Sequence, residues 1–150
     1  MGQRGEGWVI IQVILFALIA LAPQVSFPWI ATWISVLFGL SFLISGLVLL
    51  LASVLNLGKN LTPFPRPTPN GKLVTTGLYS LVRHPMYFSV ILVCLGFSLL
   101  TMNPIRLGLT GLIFVFLDAK SRQEETWLKQ QYPNYTDYQR RTKKLIPWIY

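Results

Sequence analysis

One cysteine and one histidine in 150 residues remove two protein classes at once. A disulfide framework needs paired cysteines and a structural zinc site needs about four sulfur or nitrogen ligands, so neither forms within a single chain. Cys94, set in an apolar run, reads as a buried thiol. Charge is scarce as well. Asp, Glu, Lys and Arg make up 12% of the sequence, where a water-soluble domain carries roughly a quarter. No phosphate loop, zinc-protease helix or nucleophile elbow occurs, and the glycines among Gly2–Gly7 follow no strand, so a dinucleotide fold is not indicated. The sequence is instead rich in apolar residues: 53% are hydrophobic and the mean hydropathy is +0.52. Lipid is the solvent this composition fits.

The apolar residues fall into blocks. Residues 8–22 are uncharged, a Pro23–Pro28 turn follows, and residues 29–55 are uncharged again. As helices these runs reach ~22 Å and ~40 Å against a hydrocarbon core of ~30 Å, so the first borrows flanking residues and the second tilts or protrudes. They read as one helical hairpin. A signal peptide is a poorer account of the first run, because Met1–Gly7 carries Arg4 and Glu6 and no clear cleavage site. Residues 86–101 and 105–117 form a second pair around Met102-Asn103-Pro104, interrupted only by Arg106. Asp118–Gln131 holds no Pro or Gly and carries i,i+4 charge pairs (Asp118/Arg122, Lys120/Glu124, Glu125/Lys129), so the last helix is expected to continue out of the membrane.

Four spans put both termini on one side, together with the loop 56–85 and the tail 118–150. That side holds 12 of the 13 basic residues. The positive-inside rule makes it the cytoplasm, and the net charge of +8 then needs no nucleic acid to explain it. The expectation is an all-α integral membrane protein of one domain, residues 1–150. It has four transmembrane helices in two hairpins, a last helix extending into the cytoplasm and a short C-terminal helix. Thr62–Pro69 has proline at every second position, which predicts an extended strap. Gly39, Ser45 and Gly46 permit close helix packing, within or between chains. Lys143–Tyr150 looks like a basic, aromatic contact with the membrane surface.

Chemistry is expected on the cytoplasmic face. Pro85 suits the first turn of a helix, which places His84 near its N-cap with Arg83 just outside. A helix start, an Arg and a His together suit a carboxylate or phosphate. Glu124 and Glu125 lie one to two turns beyond the membrane edge, where an acidic group beside a cationic loop can hold a cation or a ribose. Tyr132, Tyr135 and Tyr138, three apart, form a helical stripe that reads as packing. With one His for general-base work, an enzyme of this composition would lean on an activated cofactor while the protein binds and aligns.

The run Gly77-Leu78-Tyr79-Ser80-Leu81-Val82-Arg83-His84-Pro85-Met86-Tyr87, then Glu124-Glu125 with Leu128, then Tyr132, Tyr135, Tyr138, Arg141 and Pro147, resembles the isoprenylcysteine carboxyl methyltransferase family. The wider group includes the membrane phospholipid methyltransferases. The likeness covers roughly Leu73 to Pro147. It implies an integral membrane methyltransferase using S-adenosylmethionine, with S-adenosylhomocysteine as product. By the family's motif Leu73, Val74, Tyr79, His84, Pro85, Met86 and Tyr87 map onto cofactor contacts and Glu124 onto the acidic one, with Arg83 beside them. Lys120, Arg122 and Glu125 are the candidate catalytic residues, Lys120 and Arg122 to orient an anionic acceptor.

The sequence departs from the family at Ser89, where many members have glycine, and at Lys120, where prenylcysteine enzymes tend to carry arginine. The implied partners are a lipophilic acceptor entering sideways from the bilayer, and membrane lipids. No metal is expected, and oligomeric state is not legible. The location would be the inner membrane in a bacterium or the endoplasmic reticulum in a eukaryote. An N-methyltransferase acting on phospholipids or amines, a non-catalytic scaffold and a sterol-reductase-like fold are the competing readings.

Overall fold

A computed structural model describes residues 5–28, 30–67 and 71–150. Arg4 of the charge pattern and the end of the proline strap, Thr68 and Pro69, lie outside the described residues, as does Trp29 at the start of the second apolar run. Five α-helices occur, and there is no strand among the described residues. They are α1 (Glu6–Leu21), α2 (Thr32–Leu57), α3 (Pro85–Leu100), α4 (Pro104–Gln131) and α5 (Tyr135–Arg141).

Proline sets two of the helix starts. Pro85 and Pro104 each occupy the first turn, where a missing N–H costs nothing. Asn103 caps α4 by accepting from the backbone N–H groups of Ile105 and Arg106. The 28 residues of α4 form one uninterrupted helix, apolar in its first half and charged in its second, as the absence of Pro and Gly after Leu117 predicts. Among the described residues, the segment Thr32–Asn60 is the one helical stretch long and apolar enough to cross a membrane by itself. α1 and α3 are shorter apolar helices.

The second expected hairpin forms, with α3 packed on α4, but the first does not. α2 packs along α3, while α1 packs on α4 rather than along α2. Small residues are the cause of the first contact. A Cβ at Gly96 would lie 2.6 Å from the Leu43 backbone nitrogen and 2.7 Å from the Gly39 carbonyl oxygen, and one at Gly46 would meet Val93 and Ser89. Gly39 and Gly46 therefore serve packing within the chain. Polar groups fix the second contact: buried Arg106 donates to the carbonyls of Ile19 and Ala22 at the end of α1 and to Gln24. A cation there satisfies carbonyls that the helix end leaves unpaired. Asn103 Nδ2 adds a bond to the Pro23 carbonyl. The apolar core joins Leu15 and Ile19 of α1 to Cys94 of α3 and to Ile113 and Leu117 of α4.

Beyond Leu117 the chain is polar and tightly tied. Asp118 accepts from Arg122 at 2.9 Å, from the Tyr150 hydroxyl at 2.9 Å and from Lys144. Burial alone would raise its carboxyl pKa, but these hydrogen bonds outweigh burial and hold it low. The tail is thus anchored at the point where α4 turns from apolar to charged. Lys144 is buried against Asp118 rather than turned to a surface, while Trp148 and Ile149 stand exposed.

Candidate active site

The segment Val82-Arg83-His84 runs alongside the tail. Val82 pairs with Lys143 in a parallel bridge, and the N–H groups of Arg83 and His84 donate to the carbonyls of Lys143 and Lys144 at 2.8 and 3.0 Å. This fixes His84 at the N-cap of α3. Its ring then stacks on Tyr87, with centroids 5.3 Å apart and planes 3° off parallel. Each imidazole nitrogen faces a carboxylate: Nε2 lies 3.2 Å from Glu125 Oε1, and Nδ1 lies 3.8 Å from Glu124 Oε2.

The two adjacent glutamates point different ways, because consecutive residues on a helix are about 100° apart. Glu124 turns into a cavity of about 180 Å³ and accepts the Tyr87 hydroxyl at 2.7 Å. Its side chain is 26% exposed, which leaves the carboxylate open on one side. Glu125 turns toward the tail. Its Oε1 accepts from Arg83 Nε at 2.7 Å, and Oε2 accepts from Gln139 Nε2 at 2.8 Å. Burial pushes the Glu125 carboxyl pKa up, but the His84 and Arg83 bonds pull it down further, to about 2. Arg83 completes the knot by donating through Nη1 to the carbonyls of Gln139 and Thr142.

Of the residues expected from the sequence, Leu73, Val74, Tyr79, Arg83, His84, Met86, Tyr87, Lys120 and Glu124 line the cavity. Three stand outside it. Pro85 starts α3 and is buried. Glu125 is engaged by Arg83, His84 and Gln139 beside the cavity and does not line it. Arg122 is 69% exposed at its side chain and pairs with Asp118 one turn back, which carries it away from the cavity. The expected anion site at Arg83 is likewise altered, since this guanidinium is spent on Glu125 and two carbonyls.

Lys120 is 2% exposed. Its ammonium donates to Gln12 Oε1 of α1 at 2.5 Å and lies 5.4 Å from the Tyr87 ring centroid. Burial lowers its pKa, and nearby Glu124 pulls the other way.

Several lining residues were not singled out from the sequence. The proline strap contributes Thr62, Pro63, Phe64, Pro65 and Pro67, and α1 contributes Gln12. The tyrosine stripe, read as packing, does pack, but Tyr132, Tyr135 and Tyr138 also form one side of the cavity. The Tyr138 hydroxyl donates to the Tyr79 carbonyl at 2.5 Å, and burial pushes its pKa up to about 12. Burial, with Glu124 beside it, also raises the pKa of Tyr79. These phenols stay neutral at physiological pH. The signal that could have revealed the stripe was its spacing, in step with a loop that must be covered.

A family model described as phospholipid methyltransferase matches residues 34–135, more than half of the chain. Protein-S-isoprenylcysteine O-methyltransferase B of Arabidopsis thaliana is 30% identical over 135 residues, which are 86% of this chain and 68% of that protein. The chain belongs to the phospholipid methyltransferase family, with the isoprenylcysteine carboxyl methyltransferases. The nickel-cobalt-cadmium resistance protein NccN of Alcaligenes xylosoxydans xylosoxydans is 32% identical over 141 residues, 93% of this chain and 62% of that one. A solved structure, the eukaryotic intramembrane Ras methyltransferase ICMT (isoprenylcysteine carboxyl methyltransferase), shares the fold with a TM-score of 0.71 at 26% identity. It matches 94% of this chain, which spans about half of that one, 48%.

Proposed function

We propose that this family member is an integral membrane methyltransferase. In this reading it takes a methyl group from S-adenosylmethionine and passes it to the carboxylate of a prenylcysteine-like or other lipophilic acceptor. The observation that carries the reading is Glu124: a partly exposed carboxylate, oriented by Tyr87, in a cavity also lined by Tyr79, Tyr132, Tyr135 and Tyr138. A carboxylate and aromatic faces suit a ligand bearing an ammonium and a sulfonium, and the flat rings with Leu73, Val74 and Leu128 suit an adenine. When bound, the cofactor supplies a methyl group activated by the positive sulfur. The protein's task is then to align the two reactants and keep water out.

Lys120 supplies the acceptor side. Its buried cation, braced by Gln12, suits an anionic acceptor, and a carboxylate is already ionised at pH 7 and needs no base. The acceptor's lipid part has a matching apolar cavity of about 380 Å³ between α1, α2 and α3, lined by residues such as Phe16, Leu43, Val93 and Cys94. That space follows from α1 packing on α4 and leaving α2. The whole chain acts as one domain with four spans, both termini and the site on the cytoplasmic side. The reading is supported by the exposed apolar surface of α1 and α2, where Val13, Ile14, Leu37, Ile44 and Leu51 are each more than a third exposed.

A second reading, N-methylation of a phospholipid amine, draws on the same lysine. Burial lowers its pKa against the pull of Glu124, and a lysine of lowered pKa suits proton transfer from an amine. Methyl transfer to a prenylcysteine and to phosphatidylethanolamine in detergent separates the two. Prenylcysteine is the expected substrate, and Lys120→Ala should raise its KM roughly tenfold while leaving cofactor affinity nearly unchanged. Arg122→Ala should change neither. Transfer to phosphatidylethanolamine alone would install the amine reading, and equal loss of acceptor and cofactor binding would remove Lys120 from the acceptor side.

A further inference from the structure

Tyr135 is 1% exposed and lines the cavity, and among the described residues its hydroxyl is the buried side-chain polar atom without a protein partner. Such groups are rare in folded proteins, because an unpaired buried hydroxyl forfeits its hydration without compensation. The carboxylates around it bond to other groups: Glu125 Oε1 takes Arg83 and His84, Glu125 Oε2 takes Gln139, and Glu124 Oε2 takes Tyr87, while neither carboxylate accepts from Tyr135. The Tyr135 ring is itself well fixed, edge-on to Tyr138 with centroids 5.8 Å apart. Burial, reinforced by Glu125, keeps the phenol protonated and therefore a donor. A rigid donor held ready beside a cavity costs stability in the empty protein and repays it only when a ligand supplies the acceptor.

We propose that the Tyr135 hydroxyl is a binding group of this site, donating to an acceptor atom of the nucleotide-like cofactor. This rests on the cofactor reading above, and its expected signature is an opposition between stability and binding. Tyr135→Phe removes one oxygen and keeps the ring and its packing. The thermal midpoint of the ligand-free variant in detergent should stay level or rise, while its affinity for S-adenosylhomocysteine, measured by calorimetry, should fall about tenfold.

A parallel titration with decarboxylated S-adenosylhomocysteine locates the acceptor. A loss with both ligands places it in the nucleoside, and a loss confined to the intact ligand places it at the carboxylate. Wild-type affinity in Tyr135→Phe would overturn the proposal, as would a lower thermal midpoint with an unchanged Kd, which is the mark of a purely structural hydroxyl. Failure of the wild type itself to bind would instead remove the cofactor reading, so the two failures are distinguishable.

Discussion

Glu124→Ala should cost this protein its S-adenosylmethionine affinity by roughly 30- to 150-fold, the scale of one charge-assisted contact of about 2–3 kcal/mol, while leaving the helices assembled. The expectation follows from how Glu124 is held. Its carboxylate keeps one face open to the cavity, and its protein partners there are the Tyr87 hydroxyl at 2.7 Å and the more distant His84 Nδ1 at 3.8 Å. Loss of the side chain frees the Tyr87 hydroxyl and takes a carboxylate away from buried Lys120, whose ammonium keeps its bond to Gln12. His84→Ala should act in the same direction, since the ring stacks on the tyrosine that orients Glu124. Calorimetry beside a thermal melt tests this, and undiminished affinity in both variants would remove these residues from the site.

The neighbouring substitution should behave in the opposite way. Glu125→Ala leaves Arg83 buried with its charge uncompensated, and breaking such a pair costs about 3–5 kcal/mol. Stability should fall first, and binding only as a consequence. Release of the tail from Arg83 should appear as protease cleavage after Arg140 or Arg141, which Glu124→Ala would not show.

The same pair sets an acid limit. The folded-state pKa of Glu125, about 2, lies below its ordinary 4.5, so the stability it adds is present above pH 4.5 and is lost as pH falls from there toward 2. An acid titration of wild-type stability in detergent should show that decline, and Glu125→Gln should flatten it. A wild-type protein equally stable at pH 6 and pH 3 would contradict the role given to this pair.

Much of this arrangement is legible in the sequence, for physical reasons that can be named. Apolar runs locate α1 to α4 because a lipid-facing helix shows its composition along its whole length, and Pro85 and Pro104 mark the starts of α3 and α4 because proline fits there. The pairing of helices is legible only in part. Adjacent apolar runs suggest adjacent helices, which holds for α3 and α4 but not for α1 and α2, because Gly39, Gly46 and Gly96 let α2 approach α3 and Arg106 ties α1 to α4.

At the site, the motif brings Tyr79, His84, Met86, Tyr87 and Glu124 around one cavity. The sequence could not say which of two consecutive glutamates faces inward, since a shift of one helix step turns a side chain by about 100°. Nor could it separate Lys120 from Arg122. Two residues apart on α4, they lie on different faces, one buried against Gln12 and the other exposed beside Asp118. The lining role of Tyr132, at the end of α4, and of Tyr135 and Tyr138 on α5 is not legible in their spacing alone, because packing and lining look alike there. The stripe does both.

The central claim is that the cavity between the strap, the start of α3 and the polar half of α4 holds S-adenosylmethionine. Calorimetric titration of the purified wild-type protein in detergent tests it most directly. The account predicts saturable one-to-one binding; a folded protein that takes up no S-adenosylmethionine would contradict it.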